Sequence, residues 1–178
     1  MNYTIPIHGE IGEHFTTSDM ISHLAAAKEA TVLTLDFACI GGDVDQAKEM
    51  AKLLIESKKP IVSKNSGHVA SAATYLYVLA KKDYRFFDSV KGMFLIHNPY
   101  ASGIPDADAA TLKAYSEELG KIENEYAKHY VQHTGADIEL IKAAMSINEP
   151  LTEDQIKNLG FTDNINNQIQ PLKAVAKF

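Results

Sequence analysis

Two side chains of the 178-residue sequence have the type and setting for acyl transfer, Ser71 and His97. Ser71 follows Gly67-His68-Val69-Ala70 and precedes Ala72-Ala73, at the expected mouth of a helix. A serine hydroxyl attacks carbonyl carbon poorly at neutral pH until a base takes its proton. At a helix mouth it also stands among unpaired backbone N–H groups and the positive end of the helix dipole, which favour a developing oxyanion. His97 ends the apolar run Met93-Phe94-Leu95-Ile96 and precedes Asn98-Pro99. An imidazole placed there can serve as the base. The structural alternatives are a small-residue helix packed tightly on a sheet, and a strand-end histidine that is one of seven. His68 is nearer to Ser71 in sequence, but it falls in the entry turn, where its ring need not face the hydroxyl.

Two weaker signals accompany them. Gly41-Gly42 follows an apolar run and can present backbone N–H groups to an oxyanion, or simply turn the chain from strand to helix. His129 and His133 are four apart on a helix, as metal ligands can be, but Tyr130 stands where a zinc peptidase has glutamate, so no metal site is expected.

The remaining pattern is a frame for these residues. Residues 3–8 read as a short strand, with Thr17 or Ser18 capping a helix whose apolar positions Met20, Ile21, Leu24 and Ala25 share one face. Residues 30–38 are apolar and β-branched, hence a buried strand. Asp43 caps a helix striped by Val44, Ala47, Met50, Ala51, Leu54 and Ile55. Residues 61–63 form the next strand, which Gly67 breaks, and a helix runs from about 70 to 80. Strands are expected at 83–87 and 93–96. A loop to Pro105 leads to a helix over 106–133, about 40 Å long at 1.5 Å per residue. Leu112, Tyr115, Leu119, Ile122, Tyr126 and His129 or Tyr130 form its apolar stripe. Gly135 is its left-handed cap. A short helix starts at Asp137, and Thr152 with Gln155 makes a capping box for the last one. The tail from about 164 is polar. Strand–helix alternation implies parallel β pairing in one domain spanning 1–178, with chemistry beyond the carboxyl ends of the strands.

Composition narrows the classes. An apolar fraction of 46% and a charged fraction of 22% are those of a globular domain, and 178 residues suffice for a real core. A net charge of −6 without a basic stripe argues against nucleic acid as a partner. No run of about 18 apolar residues is present to span a membrane, and the first residues do not resemble a signal peptide. The single cysteine, Cys39, rules out an internal disulfide and suits the reducing cytoplasm.

Taken together, Gly41-Gly42-Asp43-Val44, then Gly67-His68-Val69-Ala70-Ser71-Ala72-Ala73, then Met93-Phe94-Leu95-Ile96-His97-Asn98-Pro99 resemble the Clp protease proteolytic subunit (ClpP) family in order and spacing. Thr134-Gly135, Leu151 to Gln155 and Leu159 to Asp163 resemble its C-terminal part. The likeness is greatest to the ClpP-like proteases of phage and prophage head-assembly modules, with their Gly-Glu-Ile-Gly start. It implies an α/β ClpP/crotonase-like spiral of βαβ units with a long protruding handle helix. It implies Ser71 as nucleophile, His97 as base and then acid, and oxyanion N–H donors from Gly41 or Gly42 and from Ala72. No cofactor is implied. The implied partners are a protein or peptide substrate and further copies in rings, stacked through the long helix.

The sequence departs from the family in three places. Cys39-Ile40 replaces Ser-Pro before the glycines. Asn148 occupies the place of the third triad member, an aspartate, with Glu149 adjacent as an alternative. The chain enters its first strand at once, which makes an ATPase partner less expected. The leading expectation is an ATP-independent or weakly coupled serine endopeptidase of phage head maturation. The alternatives are a compartmentalised protease working with an unfoldase and an impaired, ring-forming homologue. A crotonase-like acyl-CoA hydratase would share the fold and the Gly-Gly turn but would not explain Ser71 paired with His97.

Overall fold

The computed structural model describes residues 1–101 and 106–166. Four parallel strands form the main sheet in the order β1 (Asn2–Ile11), β2 (Val32–Gly42), β3 (Ile61–Ala70), β5 (Phe94–Leu95). Helices α1 (Thr17–Ala26), α2 (Val44–Glu56) and α3 (Ala72–Tyr77) link them as crossovers. A second, two-stranded parallel sheet pairs β4 (Phe86–Phe87) with β6 (Asn164–Ile165). The chain between them carries α4 (Ala109–Thr134), α5 (Ile138–Ile147) and α6 (Glu153–Asn158).

One side of β2 is fully buried and the other only in part. Leu33, Leu35, Phe37 and Cys39 are fully enclosed in the core that the helices cover. The intervening Asp36 faces the other side, where His8, Lys64 and Ser66 approach its carboxylate. The apolar composition of the strand does not reveal this half-open face, because Thr34 and Ala38 suit either environment.

Several boundaries differ from those read from the sequence. β3 does not end at Gly67 but continues to Ala70. There is a register shift between Phe37 and Cys39 on its partner, and the glycine lies where a Cβ would come within 2.8 Å of the Ala38 Cβ. Gly67 thus marks a bulge of close approach rather than a stop. β1 likewise runs on to Ile11. Thr16, not Thr17 or Ser18, caps α1 in a capping box with Asp19. Only Phe86–Phe87 of the 83–87 stretch is strand, after a 3₁₀ turn at Lys82–Tyr84. Asn164–Ile165, in the stretch read as tail, is held in the second sheet by burial of Ile165. The Thr152–Gln155 capping box and the Gly135 left-handed cap form as expected. Gly103 and Pro105 of the predicted loop, and the tail after 166, lie outside the described residues.

α4 has 26 residues, about 39 Å of helix. Its stripe is buried only toward the C-terminal end, at Tyr126, Ala127 and Tyr130. Leu112 and Tyr115 are exposed, so the first half of the helix projects from the body. Among the described residues, no helix is long and apolar enough to cross a membrane.

Arg85, 1% exposed, fastens the C-terminal segment to this frame. Its guanidinium donates to the carbonyls of Ala80 and Val78 after α3, of His133 at the end of α4, and of Gly160 and Phe161 after α6. No carboxylate meets it among the described residues. The negative ends of helix dipoles and oriented carbonyls stabilise the charge instead. Burial lowers its pKa to about 10, so the group remains cationic at neutral pH.

Candidate active site

Ser71 stands between the end of β3 and the first turn of α3, with φ 55° and ψ −130°. Its N–H donates to the Leu95 carbonyl at 2.8 Å, which fixes the elbow against β5. Its own carbonyl accepts from the Thr74 N–H at 2.9 Å and from Thr74 Oγ1 at 2.6 Å. Tyr130 of α4 reaches the same threonine hydroxyl at 2.6 Å. Because Thr74 donates to Ser71, the Tyr130 hydroxyl is the donor to Thr74, and the base of the handle helix is thereby tied to the elbow.

A non-glycine residue at this φ is strained by about 1–3 kcal/mol, a strain that surrounding bonds must hold. Ser71→Gly is therefore expected to be more stable than Ser71→Ala by about 1 kcal/mol, measured by denaturant unfolding. Equal stabilities would mean that the elbow stores no backbone strain.

His97 brings Nε2 to 2.7 Å from Ser71 Oγ. Its Nδ1 is 2.6 Å from the Asn98 carbonyl oxygen, which can only accept. Nδ1 therefore carries the proton, and the bare Nε2 accepts from the serine hydroxyl. This is the tautomer a general base requires. Tyr100 packs by the imidazole with ring centroids 5.6 Å apart.

A cleft of about 610 Å³ opens over this pair, lined by apolar Ile40, Val44, Met93 and Leu95 and by Gly42, Asn148 and Glu10 among others. Asn148, expected to orient His97, lies in the cleft wall at the end of α5 with φ 56°, but its side chain makes no hydrogen bond to the imidazole. The bond expected from it is made by the Asn98 carbonyl. The sequence carried a signal for this: Pro99 restrains Asn98 to extended backbone, which directs that carbonyl. Glu149 is exposed and has no bond to His97 either.

The glycine turn is divided between two tasks. Gly41, at φ 102°, lies so close to the elbow that a Cβ on it would stand 2.4 Å from the Ser71 Cβ. Its N–H donates to Cys39 Sγ at 3.5 Å, whereas Gly42 faces the cleft. The Cys39 thiol is thus built into the turn where the family has Ser-Pro, and burial, with a smaller push from the Glu10 charge, raises its pKa. Ala72 is the first residue of α3, where a backbone N–H has no partner within the helix. Gly42 and Ala72 are the candidate oxyanion donors, while the Gly41 amide is already engaged. Gly41→Ala is expected to lower hydrolysis at least 100-fold by displacing Ser71, assayed with an activated ester. Full activity would contradict the close packing of turn against elbow.

His129 and His133 do not join this site. His129 Nε2 donates to the Tyr75 carbonyl at 2.9 Å and its ring stacks on Tyr75 at 3.6 Å. Burial lowers its pKa to about 4, which keeps it neutral.

Comparison with known proteins addresses the family and the fold. ATP-dependent Clp protease proteolytic subunit 1 of Protochlamydia amoebophila is 25% identical over 134 residues, covering 75% of this chain and 65% of that protein. Subunit 2 of Treponema denticola is 28% identical over 131 residues, covering 74% of this chain and 63% of that protein. The chain thus spans just under two thirds of the length of these relatives. A ClpP1 mutant from Listeria monocytogenes has the same fold, with a TM-score of 0.79 at 20% identity, covering 93% of this chain and 92% of that one. That likeness identifies the ClpP-like α/β architecture with its long helix. The family model for Clp protease matches residues 2–168, nearly the whole sequence, and the chain accordingly belongs to the Clp protease family.

Proposed function

We propose that the protein is a serine endopeptidase that cleaves phage capsid or scaffold protein during head maturation, with weak or no coupling to an ATPase. The observation that carries the enzymatic reading is the 2.7 Å contact between His97 Nε2 and Ser71 Oγ in the cleft. Ser71 Oγ attacks the peptide carbonyl while its proton passes to His97 Nε2. The N–H groups of Gly42 and Ala72 take the oxyanion. His97 then protonates the leaving amine, and water, activated by the same imidazole, releases the acyl group from Ser71. None of these steps uses a nucleotide, so ATP would enter only through a partner that delivers the chain to the cleft.

Gly9-Glu10-Ile11-Gly12, Gly41-Gly42-Asp43-Val44 and Ile96-His97-Asn98-Pro99 support the assignment to phage head assembly. The exposed Leu112 and Tyr115 on the projecting part of α4 support burial against further copies, in rings joined through the handles. A reducing cytoplasm suits the single buried Cys39. The test is incubation with the capsid and scaffold proteins encoded beside the gene, without nucleotide, read by mass spectrometry. Discrete cuts that require Ser71 support the proposal. Intact proteins beside an active esterase would refute the maturation role. The names of the relatives favour a second reading, an ATP-dependent protease working with an unfoldase. Stimulation by a Clp ATPase and ATP would select it.

The Asn98 carbonyl orients His97 but lacks the full charge of a carboxylate. Asn148→Asp, which places that charge in the cleft wall, is expected to keep or raise kcat, by up to about fivefold for about 1 kcal/mol of imidazolium stabilisation. A clear drop with the fold intact would remove position 148 from the support of His97.

A further inference from the structure

The cleft is apolar on most of its wall but carries a carboxylate at one end. Glu10 lies near the carboxyl end of β1, half-buried, among the residues lining the cleft. Its side chain crosses over Gly42, where an added Cβ would stand 2.9 Å from Glu10 Cγ. The carboxylate has no hydrogen bond or ion pair among the described residues. Glu13 and His14, both exposed, bring a second carboxylate and an imidazole within 4.8 Å of it. Among the described residues no Lys or Arg lines the cleft. The catalytic chemistry leaves this charge unused, since the serine, the imidazole and the candidate oxyanion donors are otherwise accounted for. A negative charge close to Gly42 also opposes an oxyanion, and a cationic group of the substrate would offset it. A carboxylate in a half-buried cleft wall attracts a cation more strongly than one in open water.

From this we propose that Glu10 is a specificity-determining residue that selects substrates carrying a Lys or Arg side chain at the position falling beside Gly42. Ile40, Met93 and Leu95 take apolar neighbours. The inference rests on Ser71 being the nucleophile of this cleft.

The experiment uses internally quenched peptides in which one position at a time is lysine or norleucine, which has a similar aliphatic chain but no ammonium. The ratio of kcat/KM for the two is read for the unaltered protein, Glu10→Gln and Glu10→Lys. Labelling of Ser71 by a simple fluorophosphonate is followed in parallel for each. The expected result is a preference for lysine of about tenfold at one position, near unity in Glu10→Gln and reversed in Glu10→Lys. No preference in the unaltered protein, or one that survives Glu10→Gln, overturns the proposal. Labelling of Ser71 without cleavage of any peptide also overturns it, while the activated serine stands. Absence of labelling removes the reading of Ser71 itself, and Glu10 as a selector with it.

Discussion

Replacing His97 with alanine is expected to slow hydrolysis of an activated ester by about 10⁴-fold or more, with little change in melting temperature. The size of the effect follows from the local geometry. Among the described residues Ser71 Oγ has no other base at hydrogen-bond distance, and the imidazole is already in the tautomer that accepts from it. The loss should fall on kcat, because proton transfer occurs on the way to the transition state and contributes little to ground-state binding. His97 is half-buried and, among the described residues, hydrogen-bonds only Ser71 and the adjacent Asn98 carbonyl, so its removal leaves the core intact. Retention of more than about a tenth of the activity would mean that another group activates Ser71. A large fall in melting temperature would mean that the pair is structural.

The second large effect concerns stability. Arg85→Met should destabilise the protein by about 4 kcal/mol, lowering the melting temperature by about 10 °C. Methionine fills part of the volume but leaves the five carbonyls of Val78, Ala80, His133, Gly160 and Phe161 without their donors. Those carbonyls end α3 and α4 and begin the C-terminal segment, so their loss loosens three elements at once. Lysine cannot span them, because a single ammonium offers three donors from one point, and Arg85→Lys should recover less than half of the loss. Thermal unfolding of the three proteins decides this. A change below about 1 kcal/mol would show that water or repacking satisfies the carbonyls.

Some features were legible because residue type and spacing determine them directly. Ser71 and His97 stand out as a hydroxyl at a helix mouth and an imidazole at a strand end, and the fold brings them to 2.7 Å. The heptad-like stripe of α4 predicts a long helix, and the Thr152–Gln155 pair predicts a capping box that forms. The features that were not legible depend on tertiary contact. Nothing local distinguishes Gly67 as a bulge against Ala38 from Gly67 as a strand end. Nothing beside Arg85 in the sequence marks it for burial, which comes from three chain ends converging on it. The orientation of His97 by the Asn98 backbone uses no side chain, and its one trace in the sequence is the Pro99 that follows. Glu10 belongs to an ordinary strand end, and its place in the cleft depends on how β1 lies beside the Gly41-Gly42 turn.

The measurement that tests the central claim most directly is fluorophosphonate labelling mapped by peptide mass spectrometry, with the oligomeric state fixed by light scattering. The account predicts a phosphonyl adduct on Ser71 in the assembled protein and its loss in His97→Ala. A folded, assembled protein that leaves Ser71 unlabelled, or labels it equally without His97, would contradict it.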